Sequence, residues 1–260
     1  MELSAPDIDQ FRQRGYCVLE EGFDGKEITR ISDWLDSLQA GTSRTGISHK
    51  GAEACYYEQS PVTGETMLVR VEHILGRHNP AMTRLMLAPK VLKALTSLFG
   101  EAPALFKEKV NYKLPGCRPD KLHQDQAAGW NAYSDYFITM AIAVDANHRD
   151  NAALSFLSTG AYDRALMGPE WRPLTDADPP YEPAGDYELL EAGPGAVVFF
   201  DSYVPHGSRA NCSNRPRRNI YLTFNRQSDG DLRMRYYRDK WANYPPNNPG
   251  QARESGSYRV

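Results

Sequence analysis

The second half of the chain contains a succession of short strand-like runs with no helical segment between them. Segments containing glycine, proline and asparagine separate these runs, which are Ala104–Leu114, Tyr136–Val144, Ala153–Leu157, Tyr187–Leu190, Gly195–Phe200 and Arg217–Phe224. Strands that follow one another without a crossover helix pair in antiparallel fashion. The pattern therefore predicts a sandwich, jelly roll or barrel as the core of the fold.

The first hundred residues follow a different pattern. Apolar side chains in residues 25–39 recur at intervals of three and four, as in an amphipathic helix. The remaining predictions are helices at 6–15 and 80–98 (broken at Pro89), strands at 16–19 and 67–71, and a last helix at 231–244. The stretch 41–66, rich in Gly, Ser and Thr, is predicted to be a long loop. Loops of this length often cover an active site, although the sequence leaves open whether this one does.

Composition and charge narrow the class of protein. The 260 residues are 41% hydrophobic and 24% charged, a globular balance in a chain long enough to bury a full core. A net charge of −3 gives no general attraction to nucleic acid or to an anionic membrane. No run approaches the ~18 apolar residues of a membrane span, and the first residues lack the apolar region of a signal peptide. The four cysteines form no CxxC pair. We therefore expect a cytoplasmic protein that binds a small molecule, with no nucleic-acid or membrane partner and an oligomeric state that the sequence leaves open.

Three polar side chains have the types and spacing of a metal centre. His123 and Asp125 are two residues apart just after a predicted strand, and residues two apart on an extended segment point the same way. Taken alone, such a pair is more often part of a surface turn than of a metal site. His206 follows another apolar strand, and two histidines with one carboxylate form the facial triad of non-haem iron(II) oxygenases.

An arginine completes the pattern. Arg217 lies eleven positions after His206 and opens the last predicted strand of the core. A guanidinium at this place on a neighbouring strand can hold the distal carboxylate of 2-oxoglutarate in a two-pronged, charge-assisted contact. Together the four residues predict an oxygenase that uses 2-oxoglutarate.

The sequence resembles the phytanoyl-CoA dioxygenase family of iron(II)- and 2-oxoglutarate-dependent dioxygenases. The matching segments are Phe106–Lys113, His123–Asp125, Phe199–Ser208 and Pro216–Leu222. The resemblance implies a mainly β, double-stranded β-helix (jelly roll, cupin-like) fold beneath a helical layer. On this basis we expect one domain over residues 1–260, with the helical layer at 1–100, the β-helix core at 104–225 and a tail at 226–260.

The resemblance also assigns roles to residues. It implies that His123, Asp125 and His206 bind the iron, and that Arg217 and Ser208 hold the far carboxylate of 2-oxoglutarate, with dioxygen as the other cosubstrate. Arg70 matches, more loosely, a position that carries a basic residue in contact with the cosubstrate. Related halogenases have a small residue where this chain has Asp125, so the carboxylate implies hydroxylation or desaturation.

Side chains near the triad in sequence, or on the proposed cover, are candidates for substrate binding. They are Tyr57, Lys109, Asn111, Gln126, Trp130 and Tyr203. Lys109 alternates with Lys107, Asn111 and Lys113 on one strand face, which would suit a phosphonate or a carboxylate. The aromatic members of the set could enclose an ammonium group. The other interpretation is a solvated strand face and ordinary packing.

A finer resemblance concerns the substrate. The segments 201–206, 235–240 and 244–246 are similar to those of the family's aminophosphonate hydroxylases. It implies a zwitterion such as 2-aminoethylphosphonate or an N-methylated analogue. Three other functions stay open: a hydroxylase of an amino acid or a natural-product intermediate, a jelly roll that binds metal without catalysis, and a hydrolase or isomerase on a cupin-like barrel that uses the metal as a Lewis acid.

Overall fold

Two antiparallel sheets form the centre of the molecule. The computed structural model describes residues 1–45, 53–157, 162–168, 172–174 and 187–253. The strands are β1 (Tyr16–Leu19), β2 (Ala54–Gln59), β3 (Thr66–Glu72), β4 (Pro103–Lys113), β5 (Asp120–His123), β6 (Ile138–Ala143), β7 (Leu154–Leu157), β8 (Tyr187–Leu190), β9 (Val197–Asp201), β10 (His206–Ser208) and β11 (Arg217–Arg226). The helices are α1 (Ala5–Arg14), α2 (Gly25–Thr45), α3 (Pro80–Met86), α4 (Pro89–Phe99) and α5 (Arg233–Asn243).

The order of the strands is that of two facing sheets. The larger sheet runs β1-β9-β6-β11-β4-β3-β2, and the smaller runs β5-β10-β7-β8. Side chains from both sheets meet in an apolar cluster that includes Tyr16, Phe200 and Tyr221 from the larger sheet and Phe156 from the smaller. Phe156 stacks on Tyr16 with ring centroids 4.8 Å apart. This cluster closes one end of the space between the sheets.

The outer face of the larger sheet packs against the helices. Phe11 of α1, Ile31 of α2 and Leu95 of α4 are buried there in one large cluster with Val110 and Ile220 of the sheet. The sequence specifies this layer, because alternate residues of each strand are apolar and the helices carry one apolar stripe each.

The inner face of the larger sheet carries the polar side chains of three adjacent strands. Lys109 of β4 lies across from Tyr221 of β11 on one side and from Glu72 of β3 on the other. The next row toward the end of the strands places Asn111 between Asn219 and Arg70. The period of two in a strand thus sends Lys107, Lys109, Asn111 and Lys113 to the same inner face.

Helix α5 packs against β4 and forms two buried ion pairs with the larger sheet. Glu108, on the outer face of β4, lies against the Arg233 guanidinium, and Lys240 reaches both carboxylate oxygens of Glu72 at 2.6 and 2.7 Å. The Tyr237 hydroxyl donates a 2.8 Å hydrogen bond to the backbone oxygen of Glu108. The predicted last helix is therefore an integral wall of the core.

Most predicted elements are present with ends shifted by a few residues. Helix α2 continues to Thr45, and the predicted break between α3 and α4 falls at Pro89, where α4 begins. The stretch 41–66 was wrongly predicted as one loop, because Ala54–Gln59 forms β2 and pairs with β3. Residues 46–52 lie outside the described part of the chain. Within the described residues, no helix is both long and apolar enough to cross a membrane.

The Glu108–Arg233 pair gives a test of how α5 is held. Glu108 is 1% exposed, and burial raises the pKa of its carboxyl, against which Arg233 acts. Replacing Arg233 by Met leaves that carboxylate buried without its partner, so we expect the free energy of unfolding to fall by roughly 3–5 kcal/mol in chemical denaturation.

The double variant E108Q/R233M separates charge from packing. It carries no unpaired charge and should recover most of the loss. R215M is the matched control, because Arg215 pairs with Asp150 at 3.1 Å on the surface and should cost less than ~1 kcal/mol. A double variant as unstable as R233M alone would show that lost packing, and not the buried carboxylate, is responsible.

Candidate metal centre and adjoining cavity

The pairing of β5 with β10 brings two histidines side by side. His123 ends β5, His206 begins β10, and the two are direct Cα partners in the antiparallel ladder. Their ring centroids are 4.5 Å apart. Asp125 opens the 3₁₀ turn that follows β5, and Gln124 between them keeps an extended backbone. One ligand atom from each of His123, Asp125 and His206 lies within 4.8 Å of the others.

Hydrogen bonds to the backbone orient both imidazoles. The Nδ1 atom of His123 lies 2.6 Å from the backbone oxygen of Lys121, and that of His206 lies 3.0 Å from the backbone oxygen of Val204. A carbonyl can only accept, so each Nδ1 carries the proton and each Nε2 offers its lone pair. The same arrangement orients histidine ligands in metal sites generally. The donor set therefore fits a divalent metal ion.

The local electrostatics favour the protonation states that a metal requires. Burial lowers the pKa of His206 to about 4, and the neighbouring His123 acts in the same direction. Burial would raise the pKa of Asp125, but His206, Lys107 and Lys109 outweigh it and hold that pKa at about 2. At neutral pH His206 is thus a neutral donor and Asp125 a carboxylate.

A cavity of about 410 Å³ opens beside the triad, with walls of opposite character. Lys107, Lys109 and Asn111 line the charged wall. Leu154 and Phe200 line the apolar wall. The cavity beside the triad is thus lined by cations as well as by apolar side chains.

Arg217 and Ser208 lie near the cavity without lining it. The Arg217 side chain is fully buried and donates to the backbone oxygen of Ala152 and, at 3.3 Å, to the hydroxyl of Tyr221, which does line the cavity. Among the described residues no carboxylate pairs with Arg217, and its Nε–H has no acceptor. The Ser208 hydroxyl donates to Asp120 at 3.4 Å. A buried, unpaired guanidinium has the chemistry of an anion site.

Arg70 differs from Arg217 in being paired. It lines the cavity, but its Nε lies 3.0 Å from Glu72, and its guanidinium lies 4.6 Å from the ring centroid of Tyr56. Glu72 already engages part of its charge. Of the two arginines, Arg217 is therefore the better match for a carboxylate anchor.

The candidate substrate residues divide into two groups. Lys109, Asn111 and Trp130 line the cavity. Tyr57 instead packs in the apolar core on the outer face of the larger sheet, and the Tyr203 hydroxyl donates to the backbone of Asp135. Gln126 is fully buried and bonded to Asn131 and Ser134. Tyr57, Gln126 and Tyr203 are therefore not among the cavity-lining residues.

An aromatic enclosure for an ammonium group does not form from the three predicted rings. Trp130 alone of the three lines the cavity, and the Lys107 ammonium lies 4.0 Å from its ring centroid. The face of the ring is thus already taken by a cation of the chain.

Several residues at the site were not among the sequence candidates. Gln124, between the two metal-ligand candidates, bonds to the backbone of Ala165, Met167 and Tyr203 at 2.6–2.8 Å. It thereby fastens the described segment 162–168 to both ligand loops. Arg172, just beyond, lines the cavity. Contacts between segments so distant in sequence leave no periodic signal, so only the fold reveals them.

Comparison with known proteins places these features in a family. A model of the phytanoyl-CoA dioxygenase family matches residues 11–219. The chain is 34% identical to a 2-aminoethylphosphonate dioxygenase of an uncultured bacterium, over 91% of this chain and 87% of the relative. It is 32% identical to a methylphosphonate hydroxylase of Gimesia maris, over 92% and 86% of the two chains.

Solved structures agree on the architecture. EctD from S. alaskensis, with 2-oxoglutarate and 5-hydroxyectoine, superposes with a TM-score of 0.72 at 20% identity, over 99% of this chain and 87% of that one. The carbocyclase SnoK gives a TM-score of 0.66 at 18% identity, over 86% and 84% of the two chains. The expected double-stranded β-helix fold is confirmed.

Gly207 provides a test of the geometry that joins the two histidines. A Cβ at this position would lie 2.8 Å from the backbone oxygen of Asp120 and 3.2 Å from the backbone nitrogen of Leu122. Gly207→Ala must therefore push β10 away from β5 and separate His206 from His123. We expect iron(II) affinity to fall roughly 10- to 100-fold, as when groups that orient metal ligands are lost. Metal titration under anaerobic conditions measures it.

Gly193→Ala is the control, because a Cβ there meets no atom within 4 Å. It should bind iron as the unaltered protein does. Unchanged iron affinity in the Gly207→Ala variant would contradict a metal site that spans β5 and β10.

Proposed function

The chain belongs to the phytanoyl-CoA dioxygenase family, and from that premise we propose that it hydroxylates a C–H bond of a small phosphonate. Enzymes of this family depend on iron(II), 2-oxoglutarate and dioxygen. Our first candidates for the substrate are 2-aminoethylphosphonate and its N-methylated analogues. The observation that carries the proposal is the charged wall beside the triad, where Lys107 and Lys109 have no carboxylate partner among the described residues.

His123, Asp125 and His206 are our candidates for the iron ligands. When bound, iron(II) and 2-oxoglutarate supply the activation of dioxygen that allows a hydrogen atom to be removed from an unactivated carbon. These three side chains would supply the protein ligands of the metal, and the Phe200 and Phe156 ring centroids lie 4.8 and 5.7 Å from that of the His206 ring. These rings restrict the imidazole to one orientation and keep water from that side.

Arg217 is our candidate for the 2-oxoglutarate anchor. Its support is the buried guanidinium with an unsatisfied Nε–H, together with Ser208 two residues beyond His206. A carboxylate placed there would supply the missing acceptor and the missing negative charge. Arg70, already paired with Glu72, is the alternative anchor.

Lys109 and Asn111 are our candidates for substrate contacts. The Lys109 ammonium lies 5.1 Å from the ring centroid of Tyr221. The Asn111 side-chain oxygen is buried and accepts no hydrogen bond from any residue in the described part of the chain. An anion buried in the mouth of the barrel needs a fixed cation, since its desolvation otherwise costs several kcal/mol. Lys109 provides that cation, and the Asn111 oxygen can accept from an amine.

A phosphonate without an amine is the second candidate. Two carboxylates line the cavity, and both are engaged: Asp120 pairs with Lys113 and Arg118 at 2.8 Å each, and Asp125 belongs to the triad. Among the described lining residues, none therefore offers a substrate ammonium an uncommitted negative charge. This arrangement favours an alkylphosphonate such as methylphosphonate over an amino acid.

The test is a substrate panel. Succinate release and product formation are followed with 2-aminoethylphosphonate, its N-methylated analogues, methylphosphonate, amino acids and neutral lipophilic compounds. We expect coupled turnover with at least one phosphonate, and none in the Asp125→Ala variant, which lacks a ligand. Turnover with neutral lipophilic compounds alone would refute the charge argument. Turnover with amino acids alone would remove the phosphonate assignment.

Arg217→Met tests the anchor. Losing a charge-assisted, two-pronged contact costs about 1.5–3 kcal/mol, so the Kd for 2-oxoglutarate should rise roughly 10- to 150-fold. Arg217→Lys keeps the charge but not the two-pronged geometry. Its Kd for 2-oxoglutarate should lie between those of the unaltered protein and Arg217→Met. Anaerobic titration of the iron-loaded protein measures both. An unchanged Kd in Arg217→Met, with a raised Kd in Arg70→Met, would transfer the role to Arg70.

A further inference from the structure

We propose that Lys107 and Lys109 act as a pair that binds the doubly charged form of the substrate's anionic group, which makes Lys107 a specificity-determining residue. The inference rests on the proposed function, because it specifies which anion the charged wall selects.

A β-bulge sets the position of Lys107. In the ladder between β4 and β11, Lys107 pairs with Thr223 and Leu105 pairs with Phe224, so Phe106 is the extra residue. The Phe106 side chain packs in an aromatic cluster with Trp130 and Tyr236. After the bulge the regular alternation of the strand resumes at Lys107. Lys107 and Lys109 therefore both point to the cavity. Bulges often serve to re-aim a side chain beside an active site.

The Lys107 side chain is buried without an anionic partner. It is 4% exposed, and its ammonium lies 4.0 Å from the ring centroid of Trp130 and 5.7 Å from that of Tyr236. No described residue gives it a carboxylate within ion-pairing distance, and two aromatic faces compensate only part of the lost hydration. Burial, together with repulsion from Lys109, lowers the pKa of this ammonium well below its usual value. Lys107 and Lys109 therefore repel each other across the cavity face.

Two carboxylates act on the lysine pair, and both have other partners. Asp125 belongs to the candidate metal triad, and Glu72 is neutralised by two other cations. Glu72 lies across β3–β4 from Lys109, but Lys240 contacts both of its oxygens and Arg70 lies 3.0 Å away. Burial by itself would raise the pKa of Glu72, whereas Lys240 and Arg70 hold it at about 2. Helix α5 thus supplies a cation that keeps Glu72 occupied, and the charges of Lys107 and Lys109 stay available to a ligand.

Two adjacent ammonium groups suit a dianion better than a monoanion. A phosphonate in its doubly ionised form has three oxygens and two charges, enough to accept from both lysines at once. A carboxylate or a sulfonate carries one charge and leaves one lysine uncompensated. We therefore expect the cavity to discriminate between a phosphonate and the sulfonate of the same shape through Lys107.

The experiment compares a phosphonate with its sulfonate isostere. The phosphonate is whichever member of the panel the unaltered enzyme turns over, for example 2-aminoethylphosphonate with taurine or methylphosphonate with methanesulfonate. KM is measured for the phosphonate, and the inhibition constant against it for the sulfonate. In Lys107→Met we expect KM for the phosphonate to rise roughly 10- to 150-fold and the sulfonate constant to change much less. Lys109→Met provides a second variant with the same expected loss of discrimination.

Thr223→Val is the matched control for local disturbance. Thr223 is the cross-strand neighbour of Lys107 and lines the same cavity, but it is uncharged, and its hydroxyl bonds to Thr139. Thr223→Val therefore alters the cavity wall without removing a charge. This replacement should change the phosphonate and sulfonate constants by the same factor. Melting temperatures show whether each variant is folded.

The possible results distinguish a failure of the paired-lysine proposal from a failure of the proposed phosphonate hydroxylation. If Lys107→Met raises both constants equally, as Thr223→Val does, Lys107 is only structural and the paired-lysine proposal is wrong while phosphonate hydroxylation stands. If the unaltered enzyme binds iron and 2-oxoglutarate but turns over no phosphonate, the proposed function itself fails.

Discussion

The antiparallel register of β11 between β4 and β6 decides which side chains meet inside the barrel. Nine of the ten residues of this strand are buried. Its alternation sends Ile220 and Leu222 to the helical layer and Arg217, Asn219, Tyr221 and Thr223 to the interior. A slip of one residue would exchange the two sets and place a guanidinium in the apolar core. The apolar outer face therefore fixes the register, and the register in turn fixes the composition of the cavity.

The charges of β4 show how the same alternation serves both faces. Glu108 faces outward and is matched by Arg233, whereas Lys107 and Lys109 face inward beside Asp125. A buried charge is tolerated where the chain itself provides an opposite charge. An excess of buried positive charge is tolerated where a bound ligand provides the negative charge. Helix α5 contributes to both arrangements, because its Arg233 pairs with Glu108 and its Lys240 pairs with Glu72. The C-terminal helix thus bears on the cavity as well as on stability.

The smaller sheet brings the candidate ligands His123 and His206 together, and Asp125 lies in the turn that follows β5. Its strands β5 and β10 are short, and Gly207 permits their close approach because a side chain would meet the backbone of Asp120. The contacts of Gln124 extend this arrangement to residues 162–168, so the ligand loops and the segment beside the cavity form one connected unit. The structural neighbours share this fold at 20% identity or less, and the fold alone does not decide which molecule a cavity accepts.

The sequence by itself predicted an antiparallel β core and most element positions, because both depend on local periodicity. Spacing within motifs also singled out His123, Asp125, His206 and Arg217 as site candidates. The sequence also placed Lys107, Lys109 and Asn111 on one face, since strand alternation is a local rule. Only the tertiary structure decided which of the candidates reach the cavity. Tyr57 and Tyr203 turn away, β2 replaces part of a predicted loop, and Trp130 meets Lys107 in place of a substrate ammonium. The neutralisation of Glu72 by Lys240 joins residues 168 positions apart, and no pattern along the chain encodes such a contact. Long-range pairing of buried charges depends on how sheets and helices pack, and for that reason it is settled by the fold and not by the sequence pattern.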